Sequence, residues 1–192
     1  MLEGEIDTTN ETPSAEAKEE AIRRDLDAIA RISSVPTILR VISETTGLRL
    51  SLVARVTGTE WTALAVNDQM CFGLEVGGKL AVATTLCATV RDTRAPVIVE
   101  HASQDPDYCK NPIPKMYGFE SYIGVPIFLA DGRYFGNVCA LDARPTPVKL
   151  PRIEAMMTLF AQLISAQLAA EAHQEATRAQ LLDAQKTAEL RE

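Results

Sequence analysis

Apolar residues along this chain follow two spacings, one near 3.6 and one of 2, and the switches between them mark out the elements. From Glu19, the positions Ile22, Leu26 and Ile29 recur at helical spacing, with Arg23, Arg24, Asp25 and Asp27 opposite, so a helix is expected over residues 19–34. Ser33, Ser34 and Pro36 interrupt it, and Pro36 suits the first turn of a second helix. That helix carries Ile38, Leu39, Val41 and Ile42 and stops near Gly47. Arg49–Val56 alternates, with Leu50, Leu52, Ala54 and Val56 on one face of a strand. Gly58-Thr59 makes a turn, and Trp61–Val66 completes a hairpin. A loop ends in Gly77 and Gly78. Ala81–Val90 then reads as a short helix carrying Val82, Leu86, Cys87 and Val90. Pro96–Val99 is a short strand, and His101–Lys115 a polar loop. Tyr122–Leu129 and Tyr134–Leu141 are strands flanking Asp131-Gly132, a strong hairpin signal. Pro151 opens the last helix, with Ile153, Met156, Met157, Phe160, Leu163 and Ile164 as an apolar stripe.

After Leu168 the helix becomes rich in Ala, Gln and Glu, with Ala176, Leu181, Ala184 and Ala188 near heptad spacing. With no core to cover, residues 169–192 are expected to pair with another helix in coiled-coil fashion. A helix still running at Glu192 suggests that the chain is cut within it. At the other end, residues 1–18 are polar and acidic and read as a disordered lead-in. Runs of strands with interspersed helices predict an α+β fold with an antiparallel sheet.

The 192 residues suit one domain with extensions, and 46% hydrophobic with 23% charged residues is ordinary globular usage. A net charge of −7 argues against nucleic acid as a partner, and equally against an anionic membrane surface. Gln162, Ser165 and Gln167 interrupt the longest apolar stretch, and the acidic start is unlike a signal peptide, so a cytoplasmic location is expected. Cys71, Cys87, Cys109 and Cys139 are widely spaced with no CxxC, so no metal site is expected and the thiols read as free.

Three motifs between Thr85 and Asp142 change this picture: TTLCATV, then APVIVEHASQDPDYCKNP, then FESYIGVPIFLADGRYFGNVCALDARP. In this order they resemble the GAF domain family, over residues 35–168. The resemblance implies a six-stranded antiparallel sheet flanked by helices, with long N- and C-terminal dimerisation helices. It implies a ligand pocket between the sheet and the long loop after Pro96–Val99. It also implies a sensory domain of a signal-transduction protein, of the type found before bacterial sensor histidine kinases, working as a homodimer. The terminal AELRE looks like the lead-in to a kinase dimerisation helix.

Candidate ligand-binding residues under this reading are Phe72, Cys87, His101, Asp105, Tyr108 and Tyr122. Each has a plainer alternative. The aromatic residues, with Tyr134, suit core packing. Asp105 and Asn111, each followed by proline, suit turn chemistry. Cys87 and Cys139 lie in apolar runs and suit small buried side chains. Cys109, beside Tyr108 and Lys110 in the polar loop, is the candidate redox thiol. Bilin attachment through a Cys-His pair finds no such pair, and haem would rest on His101 alone, so no cofactor is expected. The signature of cyclic-nucleotide binding and the phosphate-cradling glycine loop are both missing. No nucleophile–base set or opposed carboxylate pair stands out, so the chain is not expected to be an enzyme. The competing readings are a ligand-free dimerisation platform and a free methionine sulfoxide reductase-type enzyme.

Overall fold

The computed structural model describes residues 14–189. Most of the expected lead-in therefore lies outside the described residues, but its last part is helical. Helix α1 spans Ala15–Arg31, starting at Ser14, whose hydroxyl accepts from the Ala17 N–H at 3.2 Å. The start precedes the first apolar residue because the cap sets it, not the hydrophobic stripe. Ile22 and Ile29 face inward. Helix α2 (Val35–Thr46) has Pro36 in its first turn and ends at Gly47, whose φ of 77° favours glycine.

Six strands form one sheet in the order β3-β2-β1-β6-β5-β4, with every neighbouring pair antiparallel. They are β1 (Leu50–Val56), β2 (Glu60–Asp68), β3 (Lys79–Ala81), β4 (Val97–Val99), β5 (Ser121–Phe128) and β6 (Tyr134–Asp142). The central pairing joins β1 to β6, with Leu52 opposite Cys139.

Three segments depart from the periodicity reading. The edge strand β3 is three residues long, too short for a pattern, and is held by pairing with Glu60–Thr62. The helix expected over Ala81–Val90 is a 3-10 turn at Val82–Thr84 followed by α3 (Cys87–Thr93). Thr85 breaks the run: its backbone is extended and its hydroxyl donates to the Val82 carbonyl at 2.9 Å. The loop His101–Lys115 contains the start of α4 (Pro112–Tyr117), capped by Asn111, whose Oδ1 accepts from the Ile113 N–H at 2.9 Å. Asn before Pro is a helix-start signal as much as a turn signal.

Both faces of the sheet are covered. On one, α1, α2 and α5 (Pro151–Glu189) pack with Leu39, Ile42, Met157 and Ile164 against Val53, Ile123 and Val138. On the other, α3, α4 and the loop after β2 cover Leu50, Leu52, Trp61, Tyr122 and Cys139. The alternation in β1 thus places Leu50, Leu52, Ala54 and Val56 together on the second face, as expected.

Helix α5 has two halves. Ile153, Met157, Ala161, Ile164 and Leu168 are buried, whereas Leu163 is 40% exposed and points outward with Leu159. The expected stripe was one residue too wide there, because Leu163 is about 100° around the helix from Ile164. From Ala172 onward every described side chain is exposed. By length and composition this helix could cross a bilayer, but its apolar stripe packs on the sheet like that of a core helix. Alongside it, Arg31 Nε lies 2.8 Å from Glu171 Oε2, and the Ser34 hydroxyl donates to Gln167 Oε1 at 2.6 Å.

Candidate functional site

The second face holds an apolar cavity. Its floor is Leu50 and Leu52 of β1, Trp61 of β2, Tyr122 of β5 and Cys139 of β6. Leu86 and Cys87, at the start of α3, form one wall; Phe72 and Leu74 form another. Ile113 and Tyr117 of α4 complete the rim, where the Tyr117 hydroxyl hydrogen-bonds with Thr84 Oγ1 at 2.9 Å. The Phe72 and Tyr117 rings sit 6.4 Å apart.

Asp68 builds the loop that delivers Phe72. Its carboxylate accepts from the Met70 N–H at 3.1 Å and the Gly73 N–H at 2.9 Å. Burial raises its pKa, but these backbone donors more than offset that and hold it below the ordinary value. Cys71 and Gly73 both take positive φ, 57° and 84°, as this tight loop requires.

Polar atoms are few in the cavity, and they converge on one sulfur. The Trp61 indole N–H donates to Cys87 Sγ at 3.3 Å, and the Tyr122 hydroxyl lies 3.4 Å from the same atom. Cys139 lines the same cavity. Cys87 and Cys139 are 3% and 1% exposed. The Cys139 hydrogen bond, helped by Tyr122, Asn137 and Trp61, pulls the Cys87 thiol below its ordinary value against the opposing effect of burial. Cys139 beside it is pushed up, by the Cys87 hydrogen bond and by burial. Burial and the neighbouring thiols raise Tyr122, so its phenol stays a donor. Fully buried Asn137 donates to the Cys87 carbonyl at 3.4 Å and accepts from the Tyr134 hydroxyl at 2.7 Å, fixing β6 to the start of α3.

The unfilled space between these side chains is about 50 Å³. Drug-sized ligand sites span roughly 300–1,000 Å³. No histidine lines the space. Among the described residues, no group of three or more Cys, His, Asp or Glu could hold a metal ion.

The structure brings Phe72, Cys87 and Tyr122 together in this cavity. Tyr108 and the exposed Cys109 line a separate surface recess with Asn111 and Lys115. Asp105 closes a turn, its Oδ1 accepting from the Asp107 N–H at 2.9 Å. His101 lines neither space; its Nε2 lies 3.9 Å from Glu120 Oε2. Sequence reading left out Trp61, and it weighed Cys87 with Cys139 but read both as plain buried thiols. The signal for Cys139 was there: it shares a face with Leu141 on a strand that pairs with β1.

A six-stranded antiparallel sheet of this order, with helices on both faces and a cavity on one of them, defines an α+β domain. The sequence profile of the GAF domain matches residues 31–170, and the chain belongs to that family. No curated protein matches the chain by sequence at a significant level. Among solved structures, the GAF domain of an Acinetobacter phosphoenolpyruvate-protein phosphotransferase is 16% identical with a TM-score of 0.58, covering 83% of this chain and 97% of that one. Free methionine-R-sulfoxide reductase from Neisseria meningitidis, solved with its substrate, is 16% identical with a TM-score of 0.55, covering 85% of this chain and 95% of that one. A bacteriophytochrome from R. palustris is 13% identical with a TM-score of 0.62, covering 88% of this chain and 41% of that one. At such identities the likeness is one of fold.

Proposed function

We propose that this chain is a cytoplasmic regulatory GAF domain that passes a change at its cavity to an output module, such as a histidine kinase, through a dimer built on α1 and α5. One relationship carries the reading: β5 and β6 serve the cavity and the long helix at once. Tyr122 and Cys139 face the cavity, while their neighbours Ile123, Val138 and Ala140 belong to the cluster under α5. A shift at one face of a strand is felt one residue away on the other, and packed layers transmit it because they resist compression. Beyond Leu168, α5 continues as an exposed helix with Leu181 and Leu182 on its surface at 62% and 50% exposure. Such a helix gains its stability from a partner helix.

Sedimentation equilibrium tests this directly. The full chain is expected to dimerise, and a chain ending at Leu168 to be a folded monomer. A full chain that stays monomeric at high concentration would remove the transmission route.

A second reading has its own support. The small free volume favours a domain with no drug-sized ligand, serving as a dimerisation platform. Reduction of methionine sulfoxide, the activity named for the Neisseria relative, has less support, since that substrate would have to enter the same narrow space.

A further inference from the structure

Cys87 in the wall and Cys139 in the floor come from separate parts of the chain and line one cavity that is otherwise mostly hydrocarbon and aromatic. A buried pair of thiols needs no hydrogen-bond donors to be stable, since a thiol packs as a small apolar group. Here the Trp61 indole N–H and the Tyr122 hydroxyl both reach Cys87 Sγ, at 3.3 and 3.4 Å. Trp61 donates only, so its N–H favours a sulfur that accepts. Both donors fall on Cys87 rather than Cys139, so the arrangement favours a thiolate at Cys87.

Size then selects the occupant. About 50 Å³ is free above the sulfurs. One water needs roughly 10–15 Å³ of such space, so the cavity suits a small molecule of a few heavy atoms. The rim that controls entry is made of half-buried Phe72, Leu74, Ile113 and Tyr117, on the loop after β2 and on short helix α4.

We propose that Cys87 and Cys139 form a peroxide-reactive modification site, in which Cys87 is the attacking thiolate and Cys139 the resolving thiol. The Cys87 thiolate attacks one oxygen of hydrogen peroxide. An S–O bond forms, the O–O bond breaks, and the second oxygen leaves as hydroxide, which takes a proton from solvent to become water. Cys87 is oxidised to the sulfenic acid and the peroxide is reduced. The Cys139 thiol then attacks the sulfenic sulfur. An S–S bond forms, the S–O bond breaks, and the departing hydroxide takes the thiol proton as a second water. The Trp61 N–H and the Tyr122 hydroxyl, both on Cys87 Sγ, hold that sulfur as the attacking thiolate. The resulting bond would tie α3, the wall of the cavity, to central strand β6. This site stands whether or not α5 relays a signal.

The test uses the full reduced chain with Cys71 and Cys109, both exposed, changed to serine. Hydrogen peroxide is added at near-stoichiometric amounts, with intact mass and the emission of the sole tryptophan, Trp61, as readouts. Loss of two hydrogens, with peptide mapping that joins Cys87 to Cys139, is expected. Cys139→Ser should stop at a sulfenic acid trapped by dimedone, and Cys87→Ser should give neither product. Trp61→Phe and Tyr122→Phe keep the rings and lose the donors; about tenfold slower oxidation is expected, with unchanged circular dichroism. Oxidation seen only in denaturant would overturn the proposal, as would rates in the two donor variants equal to that of the parent chain. Tight capture of Ag(I) by a chain that ignores peroxide would also overturn it, and would assign the pair to a thiophilic metal.

Discussion

The Tyr122 ring occupies the volume that a side chain at position 124 would need. A Cβ added to Gly124 would lie 2.7 Å from Tyr122 Cζ, inside any real contact. The two residues share a face of β5, and the missing side chain lets the phenol lie flat enough to reach Cys87. Gly124→Ala should therefore push the phenol off the sulfur and cost about 1–3 kcal/mol by overpacking. Thermal unfolding would measure the loss, and the rate of Cys87 alkylation against pH would show its thiol returning toward the ordinary value. An unchanged alkylation profile would mean that Tyr122 does not tune the sulfur.

Asp142 offers a pH dependence of known sign. The carboxylate is fully buried and takes Arg49 Nε at 2.7 Å, Arg49 Nη2 at 2.8 Å and Arg144 Nε at 3.1 Å. Burial raises its pKa, but the two guanidinium groups and the backbone N–H groups overcome this and hold it far below the ordinary carboxylate range. A pKa lowered by folding adds stability that is present above about pH 4 and is lost as pH falls toward the folded value. Both arginines are partly exposed, which screens the pairs, so Asp142→Asn should cost only about 2 kcal/mol at neutral pH. Chemical denaturation at pH 7 and pH 3 should find the variant nearer to wild type at the lower pH. A constant gap would contradict the assignment.

Met157 tests whether the first half of α5 belongs to the core. Its side chain is fully buried among residues of the sheet and α2. Met157→Ala should cost about 2–5 kcal/mol in urea denaturation. A loss under 1 kcal/mol would place α5 outside the cooperative unit.

Leu181 tests the second half. It is 62% exposed in a segment whose described side chains are all exposed. Leu181→Glu should leave the unfolding of the domain unchanged at low concentration and weaken dimerisation about tenfold or more, as read by sedimentation equilibrium. An unaffected dimer would move the interface elsewhere, to Leu159 and Leu163 or to α1.

Asp68 separates the lid from the floor. Asp68→Ala removes the acceptor that gathers the Met70 and Gly73 N–H groups, so residues 69–73 should exchange amide protons faster. The Trp61 environment on β2 should barely move. A global loss of protection would show that the loop is integral to the core.

Local chemistry makes much of this domain readable from its residues alone. Apolar spacing determines α2 and the core stripe of α5, and Asp131-Gly132 between two apolar runs determines the β5–β6 hairpin. These signals act over a few residues, so no distant partner is needed to read them. Caps are equally local, though easily passed over: Ser14 and Asn111-Pro112 set the starts of α1 and α4. The three residues of β3 carry no period, and only pairing with β2 makes them a strand.

The candidate site divides along the same line. Phe72, Cys87 and Tyr122 meet in the cavity, whereas His101, Asp105, Tyr108 and Cys109 lie outside it. Residue type alone could not separate the two groups, because each held plausible polar or aromatic chemistry. The pairing of β1 with β6, and of β6 with β5, brings Cys139 and Tyr122 beside a helix that begins at Cys87. Composition and periodicity determined that these thiols would be buried. Only the tertiary structure decided that they would be buried together under a tryptophan N–H and a tyrosine hydroxyl, because contacts between distant segments follow from strand register and layer packing.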